Sequence, residues 1–377
     1  MVDNSPKNER NSMPYALEQL DTPFVAVDVD IVEDNLRRMQ QQAEAAGLKL
    51  RPHTKTHKQP GLAQRQVELG AHGITVAKLD EAEVMLKAGL TDILIAYPLV
   101  GRAKAHRLAL LMTRGLEPTI SLDSLEALKT VALAGQLAGR SVNVLAEVDT
   151  GFHRCGLNGS ALVELALTIH GTPGVRFGGL MSFAGHISGH RDVDRITRLI
   201  DEEDGMMHDL VRQITAHHVP VDDVSVGGTI LSHHLQRLRT ATEVRPGIYI
   251  FNDMGIVTAH AATIDQCAAR VWATIVSQPE AHRLVLDSGS KMLSTDGPID
   301  GCYGHIVEHP DWRIVRLSEE HAVVELPPNA APAAIGSLVS IIPNHICTVM
   351  NLQNTVTAVR QGSVVASWPI MARGGTQ

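Results

Sequence analysis

The 377-residue sequence lacks the features of several broad protein classes. It has no apolar run of the roughly 20 residues that a membrane helix needs, which argues against a membrane partner. Its net charge is −8 and it has no basic run, which argues against binding nucleic acid. Residues 1–20 are polar and lack the apolar core of a signal peptide, so we expect a loose leader there. The four cysteines are widely scattered, which excludes a disulfide framework and favours a reducing cytoplasm.

What the sequence does contain is a regular alternation of β-branched segments with amphipathic helical segments. This rhythm predicts a (β/α)8 TIM-type barrel over residues 31–265. The alternative is an open doubly wound sheet, but it would need a glycine-rich turn after its first strand, and residues 51–58 contain no glycine. The predicted barrel strands are residues 48–52, 73–77, 92–97, 118–122, 142–148, 175–183, 221–226 and 243–251.

The character of the chain changes after the barrel. Residues 266–377 hold short strand-like segments separated by turn signals such as Asp-Gly-Pro at 296–298, which predicts a separate β-strand-rich domain. Residues 21–30 also have strand character but lie outside the eightfold count. We therefore expect this early strand to join the β domain.

Lys55 is the first candidate for chemistry. It lies in Arg-Pro-His-Thr-Lys-Thr-His-Lys at residues 51–58, at the C-terminal mouth of the first barrel strand and between His53 and His57. A lysine with cationic or desolvating neighbours can attack an aldehyde, which favours a Schiff-base lysine. A basic surface turn and a metal-binding pair of histidines at i, i+4 spacing remain as alternatives.

An anion cradle is predicted at the other side of the barrel mouth. Gly227, Gly228 and Thr229 follow the seventh strand and begin a helix predicted over residues 230–238, so their N–H groups and the threonine hydroxyl can bind an anion. Phosphate sites formed by the loops after strands seven and eight recur in this fold. An ordinary helix-entry turn is the alternative. Together, the lysine and the cradle predict pyridoxal phosphate as cofactor.

Two other strand ends carry polar side chains. The fifth strand leads to Arg154, which can donate hydrogen bonds to an anionic or phenolic oxygen, although a surface salt bridge would also explain it. The sixth strand leads to His186.

A metal site is predicted in the β domain. In an extended segment, His345 and Cys347 would point to the same face. An imidazole and a thiolate suit zinc first, and two protein ligands leave positions open for substrate. The alternative is a half-buried strand with an inert cysteine.

The chain resembles the metal-dependent D-serine dehydratase and D-threonine aldolase family. The resemblance extends from Thr22 to Arg373 and implies an alanine racemase-like barrel of fold type III. Two departures from the family pattern are Phe183, in place of a polar or hydroxyl-bearing aromatic residue, and Gly-Thr-Ile-Leu at 228–231. The stretches that carry the resemblance are residues 51–58, 147–151 with 153–156, 245–249, 286–289 and 343–347.

The resemblance also implies roles for single residues. Lys55 would be the Schiff-base lysine, with His53 near the cofactor ring as a second catalytic candidate. The metal ligands would be His345 and Cys347, holding zinc, with manganese or magnesium as alternatives. The cofactor surroundings would be Lys55, Arg154, His186, Gly227, Gly228, Thr229, Gly247 and Tyr249.

The implied reaction is the cleavage of a β-hydroxy-D-amino acid. Dehydration to a keto acid and ammonia is favoured over aldol cleavage to glycine and an aldehyde, because dehydratase members carry His-x-Cys where aldolase members carry His-x-Asp. A racemase, a non-catalytic cofactor-binding barrel and a metal-only hydrolase using His53 and His57 are the other readings. Relatives are dimers or, in some cases, monomers, so the resemblance leaves a homodimer open.

Overall fold

The computed structural model describes residues 16–330 and 333–377, so the predicted leader lies outside the described residues up to position 15. A 3₁₀ helix spans Leu17–Gln19. Over the same described ranges, no helix combines the length and apolar character needed to cross a membrane. The first strand, β1 (Phe24–Asp28), leads directly into helix α1 (Val29–Ala45). The Asp28 side chain caps this helix by accepting hydrogen bonds from two first-turn N–H groups.

Eight parallel strands form the predicted barrel. They run in the order β2-β9-β8-β7-β6-β5-β4-β3. A bridge between His53 and Thr75 connects the two ends of this order and closes the barrel. The strands are β2 (Lys49–Leu50), β3 (Ile74–Val76), β4 (Asp92–Ile95), β5 (Glu117–Leu122), β6 (Val142–Val148), β7 (Val175–Phe183), β8 (Asp223–Gly227) and β9 (Glu243–Arg245).

Helices follow most of the barrel strands, as predicted. They are α2 (Pro60–Glu68), α3 (Leu79–Lys87), α4 (Arg102–Thr113), α5 (Leu125–Ala138), α6 (Gly159–His170), α7 (Val193–Thr215) and α8 (Met254–Thr258).

The prediction of a helix over residues 230–238 is wrong. Two 3₁₀ turns, Leu231–His233 and Leu235–Arg237, occupy this segment instead. The Ser232 hydroxyl donates to the Thr229 carbonyl at 2.7 Å. In an α-helix this carbonyl would accept from the N–H group four residues after Thr229, so the hydroxyl competes with the helical hydrogen bond. The loop after β8 therefore turns tightly over the barrel mouth.

The second sheet has nine strands in the order β11-β14-β13-β12-β15-β10-β1-β16-β17. Strand β1 lies inside it, antiparallel to β10 and parallel to β16. Two short helices, α9 (Ser290–Leu293) and α10 (Ile346–Leu352), interrupt the strands. The strands are β10 (Ala269–Glu280), β11 (Arg283–Leu286), β12 (His305–Ile306), β13 (Arg313–Leu317), β14 (Ala322–Glu325), β15 (Leu338–Ile342), β16 (Thr355–Arg360) and β17 (Ser363–Pro369).

The barrel interior is partly ionic. Arg51 Nε donates to Glu243 Oε2 at 2.6 Å, and Glu243 Oε1 accepts from Ser225 Oγ at 2.5 Å. The Arg245 guanidinium donates to the same Ser225 hydroxyl and to the Ser182 carbonyl. These hydrogen bonds hold buried charges in fixed positions below the mouth, and removal of one partner from such a network costs about 3–5 kcal/mol.

Glu203 on α7 is a buried acid. Its Oε1 accepts a hydrogen bond from Ser182 Oγ at 2.5 Å, and its side chain is almost fully buried. Burial raises the pKa of Glu203 to about 7, although Ser182 and Arg245 favour its ionised form.

The Glu203→Gln variant should gain stability relative to the wild type as the pH rises. In the unfolded chain the carboxyl ionises near its usual pKa of 4.5, whereas in the folded protein it ionises at about 7. The wild-type free energy of unfolding therefore falls across this window and levels off above it. At pH 8 the free energy of unfolding of Glu203→Gln should exceed that of the wild type by about 3 kcal/mol, because each pKa unit corresponds to about 1.36 kcal/mol. Urea unfolding of both proteins at pH 5 and pH 8 measures it, and a difference independent of pH would contradict the raised pKa.

Candidate active site

Lys55 lies in a 3₁₀ turn, Thr54–Thr56, directly at the seam that closes the barrel. The turn is fixed from within, because the Thr54 hydroxyl donates to the Thr75 carbonyl at 3.1 Å. His53 caps the turn, with its Nδ1 accepting from the Lys55 N–H at 3.3 Å. Burial lowers the pKa of His53 well below its usual value, and the charge of Lys55 lowers it further. His53 is therefore a neutral imidazole beside the lysine.

A cavity of about 800 Å³ opens at the C-terminal mouth of the barrel and reaches the β domain. The side chains of Lys55 and His53 line one side of it. Most of the predicted site residues contribute to the cavity wall. The sequence pattern alone could place these residues only at the ends of separate strands. The predicted residues that line the cavity are His53, Lys55, Arg154, Gly227, Gly228, Thr229, Gly247, His345 and Cys347.

The glycines at the mouth leave space that a side chain would fill. A Cβ at Gly227 would lie 2.7 Å from an Arg245 nitrogen, and Gly228 has a φ of +122°. The Thr229 hydroxyl accepts from the N–H groups of Gly247 and Ile248, at 3.3 and 3.0 Å. These bonds join the loops after β8 and β9 into one cradle. The cradle is formed by loop backbone and not by the N-terminus of a helix.

Phe183 lies close to two basic side chains of the cavity wall, Lys55 and Arg154. The Lys55 Nζ is 5.6 Å from the centre of its ring, and the Arg154 guanidinium carbon is 4.9 Å from the same centre. Phe152 meets Phe183 edge to face at 5.5 Å. The departure from the family pattern at position 183 therefore lies in the wall between Lys55 and Arg154.

Two predicted cofactor neighbours do not line the cavity. The buried Tyr249 hydroxyl accepts from Gln66 Nε2 at 2.9 Å, and Gln66 Oε1 is 3.3 Å from His57 Nε2. His186 is half-buried beside Gly151 in the loop after β7. Tyr249 and His57 thus belong to a hydrogen-bonded chain behind the Lys55 turn.

The reading of His53 and His57 as a metal pair gains no support from their surroundings. His57 Nδ1 accepts from the Gln59 N–H at 3.1 Å, while its Nε2 faces Gln66. Burial lowers the pKa of His57 to about 4. Both nitrogens of His57 are occupied by protein partners, away from His53.

His345 and Cys347 do come together at the cavity, but not in an extended segment as the sequence suggested. The strand β15 ends at Ile342, and His345 is the residue before helix α10, so Cys347 lies in its first turn. His345 Nδ1 is 2.6 Å from Asp296 Oδ2. Burial opposes the charge of His345, but Cys347 and the nearby carboxylates raise its pKa to about 9.

Among residues 16–330 and 333–377, no group of three or more His, Cys, Asp or Glu side chains is arranged to hold a metal ion. His345 and Cys347 would therefore form a two-ligand site with open positions. Asp296 contacts Nδ1 of the imidazole, so Nε2 is the nitrogen that would face a cation, the arrangement usual for metal-binding histidines.

Sequence reasoning missed two residues beside this pair. It treated Asp296 only as part of a turn, although an acidic residue in a loop is a common partner of a metal-binding histidine. It passed over Thr56, whose hydroxyl accepts from Cys347 Sγ at 3.3 Å. These contacts join residues 49 and 291 positions apart, and no local pattern predicts them.

The residues present fit both predicted groups. The space kept open by Gly227, Gly228 and Gly247 suits a phosphate held by backbone, with Lys55 in the same cavity for an aldehyde. An imidazole and a thiol suit a divalent cation of borderline softness, zinc first.

A closed parallel barrel with a lysine in the loop after its first strand, joined to a second sheet domain, is the architecture of the alanine racemase-like, fold type III class. Residues 27–254 match the family described as "Alanine racemase, N-terminal domain", and residues 268–359 match "Putative serine dehydratase domain". The chain belongs to the family that joins these two domains. The resemblance and the fold stated from the sequence are thereby confirmed.

Individual relatives cover almost the whole chain. A D-threonine aldolase of Arthrobacter sp is 32% identical over 363 residues, 95% of this chain and 94% of the relative. A D-threo-3-hydroxyaspartate dehydratase of Delftia sp. (strain HT23) is 30% identical over 376 residues, 94% and 98% of the two chains.

Solved structures agree with this fold. The D-threonine aldolase of Filomicrobium marinum has a TM-score of 0.89 at 30% identity, covering 97% of this chain and 99% of that one. A cysteine-to-alanine variant of D-threo-3-hydroxyaspartate dehydratase, solved in the metal-free form, has a TM-score of 0.87 at 30% identity and covers 94% and 98%.

Proposed function

We propose that this chain is a lyase dependent on pyridoxal phosphate and a divalent metal, acting on β-hydroxy-D-amino acids. The observation that carries the proposal is the contact between Cys347 and Thr56, the residue directly after Lys55. It brings the predicted metal pair and the predicted cofactor lysine to one cavity. The relatives named above, which are an aldolase and a dehydratase, support the lyase class.

The residues divide the work between two sides of the cavity. Backbone groups of the Gly227–Thr229 and Gly247 loops would hold the cofactor phosphate, and Arg154 would donate to its phenolic oxygen. Pyridoxal phosphate supplies an electron sink for bonds broken at the substrate Cα. The Lys55 amine, in the same cavity, would be the base that takes the α-proton.

The side of the cavity formed by His345 and Cys347 would bind the β-hydroxyl of the substrate through the metal. His345 and Cys347 would hold the cation, with Asp296 fixing the imidazole. A bound divalent cation supplies Lewis acidity to the hydroxyl oxygen, which helps it leave. Zinc is our first choice, with manganese and magnesium as alternatives. The description of a related dehydratase variant as being in the metal-free form supports metal binding by the related enzyme.

We favour dehydration, giving a keto acid and ammonia, over aldol cleavage, giving glycine and an aldehyde. The His-x-Cys sequence at 345–347 supports this choice by family pattern. A D-threonine aldolase stands among the relatives, so aldol cleavage is the second candidate.

Product analysis separates the two reactions. Purified protein with both cofactors should convert D-serine to pyruvate and ammonia, because its β-hydroxyl is a leaving group once it is bound to the metal. D-Threonine and 3-hydroxy-D-aspartate complete the panel, each with and without chelator. Glycine and acetaldehyde from D-threonine, with no pyruvate from D-serine, would contradict the dehydratase. Formation of the L-enantiomer alone would indicate a racemase.

The compartment and assembly are part of the same proposal. Four free cysteines, at 155, 267, 302 and 347, support a reducing compartment such as the cytoplasm. A homodimer remains a prediction, which sedimentation of the purified protein would check.

A further inference from the structure

The hydroxyl of Thr56 lies against the thiol of Cys347. The thiol donates to the hydroxyl oxygen at 3.3 Å, and both side chains are buried. The two residues are 291 positions apart, one at the barrel mouth and the other in helix α10 of the second domain. Helix α10 thus contacts the turn that carries Lys55 through this pair.

The surroundings keep the Thr56 hydroxyl in place. A Cβ at Gly247 would lie 2.8 Å from the Thr56 oxygen, so glycine there leaves room for the hydroxyl and little else. Thr56 itself has no solvent-exposed surface. Thr56 is the last residue of the Thr54–Thr56 turn. The orientation of its hydroxyl and the position of Lys55 therefore depend on the same three residues.

A metal held by Cys347 would reverse the direction of this hydrogen bond. A cysteine ligates a metal as the thiolate, so its proton is released when the metal binds. The sulfur can then only accept, while the threonine hydroxyl has a proton of its own to donate. A hydrogen bond to a charged acceptor is stronger than one between neutral groups. The same contact is therefore worth more with metal bound than without it.

We propose that Thr56 is a positioning residue for the metal site, donating its hydroxyl proton to the Cys347 thiolate and linking the metal to the turn that carries Lys55. The inference rests on the proposed function, because it requires His345 and Cys347 to bind the cation. By reciprocal linkage, an interaction that favours the bound metal also favours the turn conformation that binds it.

The test compares Thr56→Val, which keeps the shape but loses the hydroxyl, with Thr56→Ser, which keeps the hydroxyl. The readout is the Zn²⁺ affinity of the holoenzyme from competition with a chelator. Thr56→Val should lose about 10- to 100-fold in affinity, and Thr56→Ser should stay within about threefold, by the usual effect of groups bonded to metal ligands. Thr54→Val is the comparison variant, because it removes the hydroxyl bond to Thr75 that fixes the same turn but leaves the Cys347 contact, so it should lose less Zn²⁺ affinity than Thr56→Val.

Two results would overturn the inference. One is wild-type Zn²⁺ affinity in Thr56→Val; the other is an equal loss in Thr54→Val, which would show that the turn matters and the hydroxyl does not. Cys347→Ala, measured alongside, separates this proposal from the one it rests on. If Cys347→Ala loses Zn²⁺ while Thr56→Val keeps it, only the role of Thr56 fails. If Cys347→Ala also keeps it, the metal site fails as well.

Discussion

Lys55→Ala should reduce turnover of β-hydroxy-D-amino acids by at least about 100-fold and towards 10⁴-fold, the range that a positioned proton-transfer group contributes. The loss has two causes, because we assign two roles to the same amine. It forms the covalent bond to the cofactor, and it removes the α-proton of the substrate. No other lysine lines the described part of the cavity wall, so no neighbouring amine can replace it.

A covalent test accompanies the kinetic one. Borohydride treatment of the wild-type holoenzyme should leave the mass of the reduced cofactor on the peptide that contains Lys55, and on no peptide of the variant. Lys49→Ala is the matched control. Lys49 lies in the same strand-turn segment but is exposed and paired with Asp223 at 3.0 Å, so its loss should leave turnover unchanged. Full turnover in Lys55→Ala would refute the assignment.

Much of this site follows from local sequence patterns. The alternation of strands and helices predicts the barrel, and the barrel predicts that residues after each strand converge, because parallel strands end at one mouth. Lys55 and Arg154 lie in the loops after β2 and β6, Gly227 is the last residue of β8, and all three line the cavity. For such residues the position in the chain is nearly sufficient.

Side-chain hydrogen bonds decided what the strand positions and the helical pattern did not predict. Tyr249 follows a strand too, but its hydroxyl bonds to Gln66, 183 positions away, and so lies behind the cavity. The helix expected at 230–238 yields to a side-chain hydrogen bond from Ser232. Position along the strand predicts which loop a residue occupies, whereas side-chain partners from other elements decide where it points.

The pair His345 and Cys347 shows both what local sequence patterns predict and what they miss. Spacing predicted that His345 and Cys347 act together, yet the extended geometry used to predict it is wrong, since Cys347 lies in a helix. The pair converges because the chain turns between β15 and α10, and because Asp296 and Thr56 hold the two side chains from other segments. The prediction of this pair therefore rests on donor chemistry more than on backbone geometry.

The second large effect is expected at this pair. His345→Ala and Cys347→Ala should each lower metal content after dialysis and reduce turnover by more than about 100-fold, exceeding the 10- to 100-fold typical of groups that only support a ligand. A site with two protein ligands keeps one after either change, and a single side chain seldom holds a divalent cation in competition with water. Metal analysis of the dialysed proteins and turnover with added Zn²⁺ measure both effects.

The chain offers two comparisons that make this result specific. Cys302→Ala removes a half-buried thiol whose Sγ lies 3.9 Å from a backbone carbonyl, and it should keep its metal and its turnover. Cys347→Asp replaces the thiolate with a carboxylate, which also ligates zinc, so metal content should persist while the ratio of keto acid to glycine changes. Because the donor at position 347 sets how strongly the metal polarises the β-hydroxyl, this ratio reports on the thiolate directly. Wild-type metal content in Cys347→Ala would remove the basis for the metal site, and with it the preference for dehydration.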